Sequence, residues 1–383
     1  MKAVRVENVT GEHPSVGLAE VQLPVLTEPD EVLVRVLCVG LDGTDREILV
    51  ERYGVPPAGE SGLTIGHESL GVVVEAGADS GLERGDLVTA LVRRPCREPD
   101  CVNCRNGRAD YCETGRYAER GIKGAHGYLA EYYKEEARYV VKVPRTALSY
   151  GVLAEPQSIV EKVWDQVQRV QQRLIWEPKT VLVLGSGPLG LLAALTCRVL
   201  GLQTHVWSLS PSGSRQAELV RGCGAEYHQA AEGAALADWV SGSGLRPDMI
   251  WECTGHSPLA FEAMGALGPN GVLALLGVTP GKRSQTVPVD ALNMELVMEN
   301  KCVLGSVNAS RKDFETGLYR LKLMQEKYPD VLRGIVTDRL QLEDVPVLEF
   351  GSVEIKAVVD VVPVREWDGL VTQTKDVAYS FSV

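Results

Sequence analysis

The feature that most limits what this chain can fold into is an uncharged run, Thr180–Cys197, broken near its start by Gly185-Ser186-Gly187-Pro188. A membrane span is not interrupted in that way, so the run reads as a strand, a turn and a helix. Its turn, GSGPLG (Gly185–Gly190), fits G-x-G-x-x-G and directly follows VLVL. In that context Gly185 allows a tight turn, Gly187 lets a pyrophosphate approach the backbone, and Gly190 lets helix and strand pack closely. The helix N-terminus, with free N–H groups and a favourable dipole, would hold the phosphates. A glycine-rich turn without a ligand is the bland alternative. Strand-like and helix-like segments alternate from there: TVLVLG, LGLLAALTCRVLG, THVWSLS, RQAELVRGCG, DMIWECTG, LAFEAMGALG and GVLALLG. The rhythm implies βαβ units and a parallel sheet.

Before about residue 155 the pattern is different. MKAVRVENV, DEVLVRVLCVGL, ESLGVVVEAG, GDLVTALV and ARYVVKVP are short, Val-rich and bounded by Gly, Pro or Asp, which suggests a compact antiparallel barrel. Ser158–Arg173 has helical spacing and stops before Pro178, and from about Asn308 the pattern is mixed, with a helix near Phe314–Lys327 and the strand EIKAVVDVV. The expected division is therefore a β-rich domain over 1–155, completed by 309–383, and an α/β domain over 156–308. A chain of 383 residues suits two or three domains. Lys plus Arg number 39 against 51 Asp plus Glu, a net charge of −12 without a basic run, which speaks against binding nucleic acid or an anionic membrane. The start, MKAVRVENVTGEHP, lacks the apolar stretch of a signal peptide, and the expected location is cytoplasmic.

The second strand of a dinucleotide-binding unit ends at the residue facing the adenosine ribose, about 20 residues after the glycine turn. Val206–Gln216 holds no Asp or Glu; it offers Ser208, Ser210, Ser212, Ser214 and Arg215. NADP is favoured over NAD, with dual use the alternative, because no acid is there to repel a 2′-phosphate. Of nine cysteines, four follow the spacing Cys96-x4-Cys101-x2-Cys104-x7-Cys112, which suits a closed, structural zinc site. Arg93, Arg94, Arg97, Arg105 and Arg108 flank them and are expected to depress the thiol pKa values. Three further fragments, Asp42-Gly-Thr44-Asp45, Gly66-His67-Glu68 and Ala154-Glu155-Pro156, are each unremarkable alone: a His after Gly is commonly a turn residue, and a Glu before Pro a helix start. They gain weight from their order ahead of the glycine turn.

Together these residues resemble the zinc-dependent medium-chain dehydrogenases, and within them the glucose 1-dehydrogenase branch known from archaea. The resemblance spans nearly the whole chain and rests on GTDRE (Gly43–Glu47), GHE (Gly66–Glu68), the four-cysteine lobe, CETG (Cys112–Gly115), GSGPLG, CTG (Cys253–Gly255), GSVN (Gly305–Asn308) and EIK (Glu354–Lys356). It implies an α/β protein with a GroES-like β-barrel catalytic domain and a Rossmann domain with a doubly wound parallel sheet. It further implies an active site in the cleft between them, and a homodimer or homotetramer. Catalytic zinc would be held by Asp42, His67 and Glu155, with Glu68 as an exchanging ligand. Thr44 would carry a proton outward, Asp45 would fix the loop, and Glu119 and Asn308 would line the substrate or nicotinamide site. Pro188, Leu189, Thr254 and Lys356 would join the glycines in binding the cofactor. The implied reaction moves a hydride between NADP and the hydroxyl or carbonyl of a sugar, polyol or related secondary alcohol, with zinc as Lewis acid.

Two departures bear on that reading. Most relatives carry Cys at the position of Asp42, and a carboxylate is a harder ligand that donates less charge. Val92, Ile159 and Met298 stand where sugar-oxidising relatives carry polar groups, and each buried hydroxyl left unpaired costs ~1–3 kcal/mol, so a less hydroxylated substrate is expected equally. The rival readings are a zinc-free quinone or enoyl reductase, which would dispense with His67, Glu68 and Glu155, and a catalytically silent binding protein.

Overall fold

In the computed structural model the chain divides into two units, one of Met1–Ser158, Asn308–Lys322 and the described residues from Val336 to Tyr379, the other of Ile159–Val307 and Leu323–Ile335. The structure describes every residue except 10, 12, 13, 51, 52, 232, 279, 280, 373–376, 378 and 380–383, and the side chain of Val50.

The first unit begins with β1 (Lys2–Glu7), β2 (Ser15–Glu20), β3 (Glu31–Gly40), α1 (Gly43–Val50), β4 (Leu63–Thr64), β5 (Glu68–Ala76), β6 (Leu87–Ala90) and β7 (Arg93–Arg94). It continues with the short α2 (Val102–Arg105), β8 (Ala118–Arg120), β9 (Gly124–Ala125), β10 (Tyr132–Glu136) and β11 (Val140–Lys142). The apolar β3, EVLVRVLCVG, is buried along nearly its whole length because it is central to a seven-stranded sheet, flanked by β5 and β10. Val34, Val36, Val39, Val73, Val88 and Tyr128 are among the side chains of its core. Smaller sheets run β2-β1-β4 and β7-β8-β9.

The helix α3 (Ala154–Gln171) starts four residues before the sequence pattern places it, so Glu155 lies in its first turn. Pro156 is tolerated there because the N–H groups of a first turn have no intrahelical partner. The second unit alternates β12 (Thr180–Leu184), α4 (Pro188–Val199), β13 (Gln203–Ser208), α5 (Arg215–Gly222), β14 (Glu226–Gln229), α6 (Leu236–Ser243), β15 (Met249–Glu252), α7 (Ser257–Ala266), β16 (Val272–Leu275), α8 (Val289–Met298) and β17 (Cys302–Gly305). All six strands are parallel, in the order β14-β13-β12-β15-β16-β17. The order reverses between β12 and β15, and ligands of such sheets bind at the carboxyl ends of the strands at that point. α4 is buried from Gly190 to Cys197, which explains the absence of charge there. The short polar β14, the weakly patterned α6 and α8, and the edge strand β17 carry no clear sequence signal.

The chain continues through α9 (Arg311–Lys327), α10 (Pro329–Gly334), β18 (Val336–Gln341) and β19 (Lys356–Asp360), and β19 pairs antiparallel with β3. Residues 323–335 cluster with the parallel-sheet unit, where the sequence reading assigned them to the first. The reason is local: α10 lies on α5 so closely that a Cβ at Gly222 would meet Val331, and one at Gly334 would meet Leu219. Among the described residues no helix is long and apolar enough to cross a membrane.

Candidate active site and metal centres

Strand register assembles the first site. Gly40, the last residue of β3, pairs with Glu68, the first of β5, and also with Val358 of β19. The loop after β3, the residues before β5 and the start of β19 therefore converge, bringing Asp42, His67, Glu68 and Lys356 together. Asp42 caps α1: its Oδ1 accepts from Thr44 N at 2.7 Å and Asp45 N at 3.2 Å, and Asp45 Oδ2 accepts in return from Asp42 N at 3.1 Å. This is the reciprocal arrangement of a capping box. Asp45 Oδ1 also accepts from Gly66 N at 3.0 Å, and Gly66 has φ +85°, a turn conformation that suits glycine and sets the direction of His67.

The other oxygen of Asp42 faces His67, with Oδ2 3.5 Å from Nε2, and also accepts from Thr44 Oγ1 at 3.3 Å. One ligand atom each from Asp42, His67 and Glu68 lies within 4.8 Å of the others. Glu155 is buried nearby, close enough for its charge to act on His67. Lys356, fully buried, forms an ion pair with Glu68 at 2.5 Å and donates to Leu41 O at 3.2 Å. The sequence reading placed it at the cofactor; in the structure its ammonium pairs with Glu68.

Carboxylates outnumber cations here, and the titration behaviour reflects it. Burial pushes Asp45 up to about 7 and Glu155 up to about 8, the neighbouring carboxylates Asp42 and Glu68 adding to both. Burial opposes charge on His67 too, yet Asp42, Asp45 and Glu155 raise it well above the usual histidine value. His67 Nδ1 is buried without a hydrogen-bond partner. A buried imidazole among surplus carboxylates fits a divalent cation such as zinc.

Glu119 and Asn308 also meet. Glu119 Oε1 accepts from Asn308 Nδ2 at 3.1 Å and from Arg93 Nε and Nη2 at 3.0 and 2.9 Å. Arg93 stands opposite Glu119 in the β7–β8 pair, and all three side chains are buried. The carboxylate is thus held in place by a cation that the sequence reading had assigned to the thiols. Of the three apolar departures, Val92 is a core residue, Ile159 is half-buried and Met298 is 75% exposed at the end of α8.

The sulfurs of Cys96, Cys101, Cys104 and Cys112 all lie within 4.8 Å of one another, Cys101 and Cys112 at 4.0 Å. Two thiolates on one tetrahedral zinc are about 3.8 Å apart, given Zn–S of about 2.3 Å. All nine cysteines are free of disulfides. Burial works to raise Cys112, but Thr114 and the other thiols bring it down to about 6, whereas burial takes Cys104 up to about 12. The expected influence of the arginines is not what lowers Cys112: Arg93 is paired with Glu119, Arg94 with Glu135 and Arg108 with Asp110.

In the parallel-sheet unit the glycine turn has its expected shape. Gly185 has φ +101°, where an added Cβ would press on Thr254 at 2.8 Å. Gly187 caps α4 with Pro188 at its first position and Leu189 next, and a Cβ on Gly190 would collide with the Gly185 carbonyl. Thr254 and Gly255 donate backbone N–H groups to the buried Glu252 at 2.7 and 3.1 Å, a role for Glu252 that no sequence motif announced. At the end of β13, Ser208 Oγ lies 2.8 Å from Ser186 Oγ, which lies 3.2 Å from Ser210 Oγ. Two other expected donors are committed elsewhere. Ser214 caps α5 by accepting from Ala217 N, and Ser212 donates to Gln229 Oε1. Arg215 opens α5 and its Nε donates to Gly334 O at 3.4 Å.

Comparison with known proteins covers most of the chain. A family model described as Alcohol dehydrogenase GroES-like domain matches residues 28–145, and one described as Glucose dehydrogenase C-terminus matches residues 148–361. The glucose 1-dehydrogenase of Methanocella arvoryzae is 40% identical over 363 residues, covering 94% of this chain and 99% of its own. That of Haloarcula marismortui is 35% identical over 357 residues, covering 93% and 99%. Among solved structures, Haloferax mediterranei glucose dehydrogenase in complex with NADP, Zn and gluconolactone matches with a TM-score of 0.86 at 33% identity, covering 95% of this chain and 100% of that one.

Proposed function

Because this chain belongs to the glucose 1-dehydrogenase family of zinc-dependent medium-chain dehydrogenases, we propose that it transfers a hydride between NADP and the hydroxyl-bearing carbon of an aldose. The observation that carries the reading is the group of the half-buried Asp42 with the buried His67, Glu68 and Glu155, whose surplus of carboxylates calls for a cation. Val92 and Met298 give little support to a strongly apolar substrate, since one is core and the other exposed. That leaves the sugar ahead of the less hydroxylated alcohols.

When bound, zinc held by Asp42, His67 and Glu155, with Glu68 beside them, would supply a Lewis acid, and NADP a hydride acceptor. The chain's own residues prepare both. The helix cap fixes one oxygen of Asp42, so only the other is offered toward His67. Lys356 neutralises Glu68 and leaves a net demand for cationic charge at the other carboxylates. Thr44 Oγ1, hydrogen-bonded to Asp42, would pass a proton outward. Asp45 holds the loop through Gly66. Glu119, anchored by Arg93 and Asn308, offers a fixed carboxylate to sugar hydroxyls. Ser186, Ser208, Ser210 and the exposed Arg215 present hydroxyls and a cation, with no acid, to a 2′-phosphate. A homodimer or homotetramer fits the edge position of β17, where Val303, Val307, Val297 and Met298 are exposed.

The test is a panel of aldoses, polyols and hydrophobic secondary alcohols assayed with NADP and with NAD. An aldose with NADP should give the highest kcat/KM; a hydrophobic alcohol outrunning every aldose would remove the sugar assignment. Retained reduction of an activated double bond by zinc-free protein would favour the reductase reading.

A further inference from the structure

We propose that His205, Glu226 and His228 form a binding site for a divalent transition cation of the zinc, nickel or cobalt class, clipping the edge strand β14 to β13. The site shares no residue with the cysteine lobe or with the group around His67.

The argument begins with register. β13 and β14 pair in parallel, with His205 opposite Glu226 and Trp207 opposite His228. Residues two apart on a strand share a face, so all four side chains rise on the same side of the sheet. There His205 Nδ1 lies 3.0 Å from His228 Nε2 and 3.6 Å from Glu226 Oε2, and His228 Nε2 lies 4.0 Å from that oxygen. Two nitrogens on one tetrahedral zinc, at about 2.0–2.1 Å each, are about 3.3 Å apart. The observed triangle therefore brackets the spacing a single ion imposes.

The donor chemistry narrows the ion. Two imidazoles and one carboxylate suit zinc, nickel or cobalt rather than calcium or magnesium, which prefer oxygen alone. The rings must be neutral to bind, and burial lowers the pKa of both. The His205 side chain is 7% exposed and that of Glu226 is 60% exposed, so the cluster has a rigid inner ligand and an outer one open to solvent for ion entry. The His228 ring is held between the His205 ring (centroids 5.3 Å apart) and Trp239 of α6 (4.7 Å). The rival account of the same distances is a plain His–His hydrogen bond with a carboxylate beside it.

The experiment uses the zinc-loaded, full-length enzyme. Equilibrium dialysis against Zn2+ should show one more ion per chain in the wild type than in His228→Gln, and Glu226→Gln should weaken that ion's binding by about tenfold or more. Ni2+ should quench part of the tryptophan fluorescence through Trp239 in the wild type, and lose that effect in His228→Gln. Should His228→Gln fail to fold, Glu226→Gln carries the comparison, since its side chain is largely exposed. Equal metal content and equal quenching in wild type and variants would overturn the proposal and leave the hydrogen-bonded pair.

Discussion

Asp42 divides its two oxygens between structure and site: Oδ1 caps α1 while Oδ2 faces His67. The sequence shows the residue but not the division, because a capping Asp and a ligand Asp look alike in a row of letters. Lys356 and Arg93 make the same point, since each partner lies far along the chain, at Glu68 and at Glu119. His67 is where the proposed chemistry is most exposed to test. His67→Ala should lower kcat/KM by ~10³-fold or more, as removing a ligand forfeits several kcal/mol of Lewis-acid stabilisation. NADPH affinity, read by fluorescence titration, should stay within about twofold of wild type. Full activity in that variant would end the zinc mechanism. At the proposed cofactor site, Ser210 lies in the serine cluster with Ser186 and Ser208. An acid introduced there repels a 2′-phosphate by about 1–4 kcal/mol, so Ser210→Asp should lower the NADP-to-NAD ratio of kcat/KM tenfold or more. An unchanged ratio would show that the phosphate is held elsewhere.

Elements differ in how plainly the sequence announces them. β12, the glycine turn and α4 are legible because the turn chemistry and the apolar run are contiguous. α3 begins earlier than its periodicity shows, since Glu155-Pro156 continues the helix backward into polar sequence. The turn gives a sharp contrast between two glycines. A Cβ at Gly187 meets nothing within 4 Å, while one at Gly190 meets the Gly185 carbonyl, backbone that cannot rotate away. Gly187→Ala should therefore leave the melting temperature near wild type and weaken NADP binding. Gly190→Ala should lower both, measured by thermal unfolding and by cofactor titration. Equal melting losses in the two variants would contradict the packing described for the turn.

For the whole molecule, the group around His67 links stability to pH and, on the proposed reading, to metal. In the metal-free protein His67, Asp45 and Glu155 all hold protons at higher pH in the folded state than their ordinary values of 6.5, 3.8 and 4.5. The folded state thus binds more protons than the unfolded one from about pH 4 to about pH 8, and its stability falls as pH rises through that window. Asp42, shifted the other way, acts below 3.8 and does not offset this. Mild chelation should strip this metal before that of the four thiolates, which are the softer and tighter ligands for zinc. The stripped protein should then lose melting temperature steadily between about pH 5 and pH 8, while the loaded protein changes less. Parallel slopes for the two forms would show that no cation compensates the buried carboxylates.

By itself the sequence determined the alternation of β12, α4, β13, α5, β15, α7 and β16, the glycine turn and the cysteine lobe, since each rests on residues adjacent in the chain and on periodicity that short-range forces enforce. Tertiary structure decided which dispersed residues share a site. Gly40 opposite Glu68 and Val358 sets the register that gathers Asp42, His67, Glu68 and Lys356, and His205 opposite Glu226 gathers the edge cluster. Register depends on how whole strands bury their faces, and no local pattern around a single His, Asp or Lys contains it.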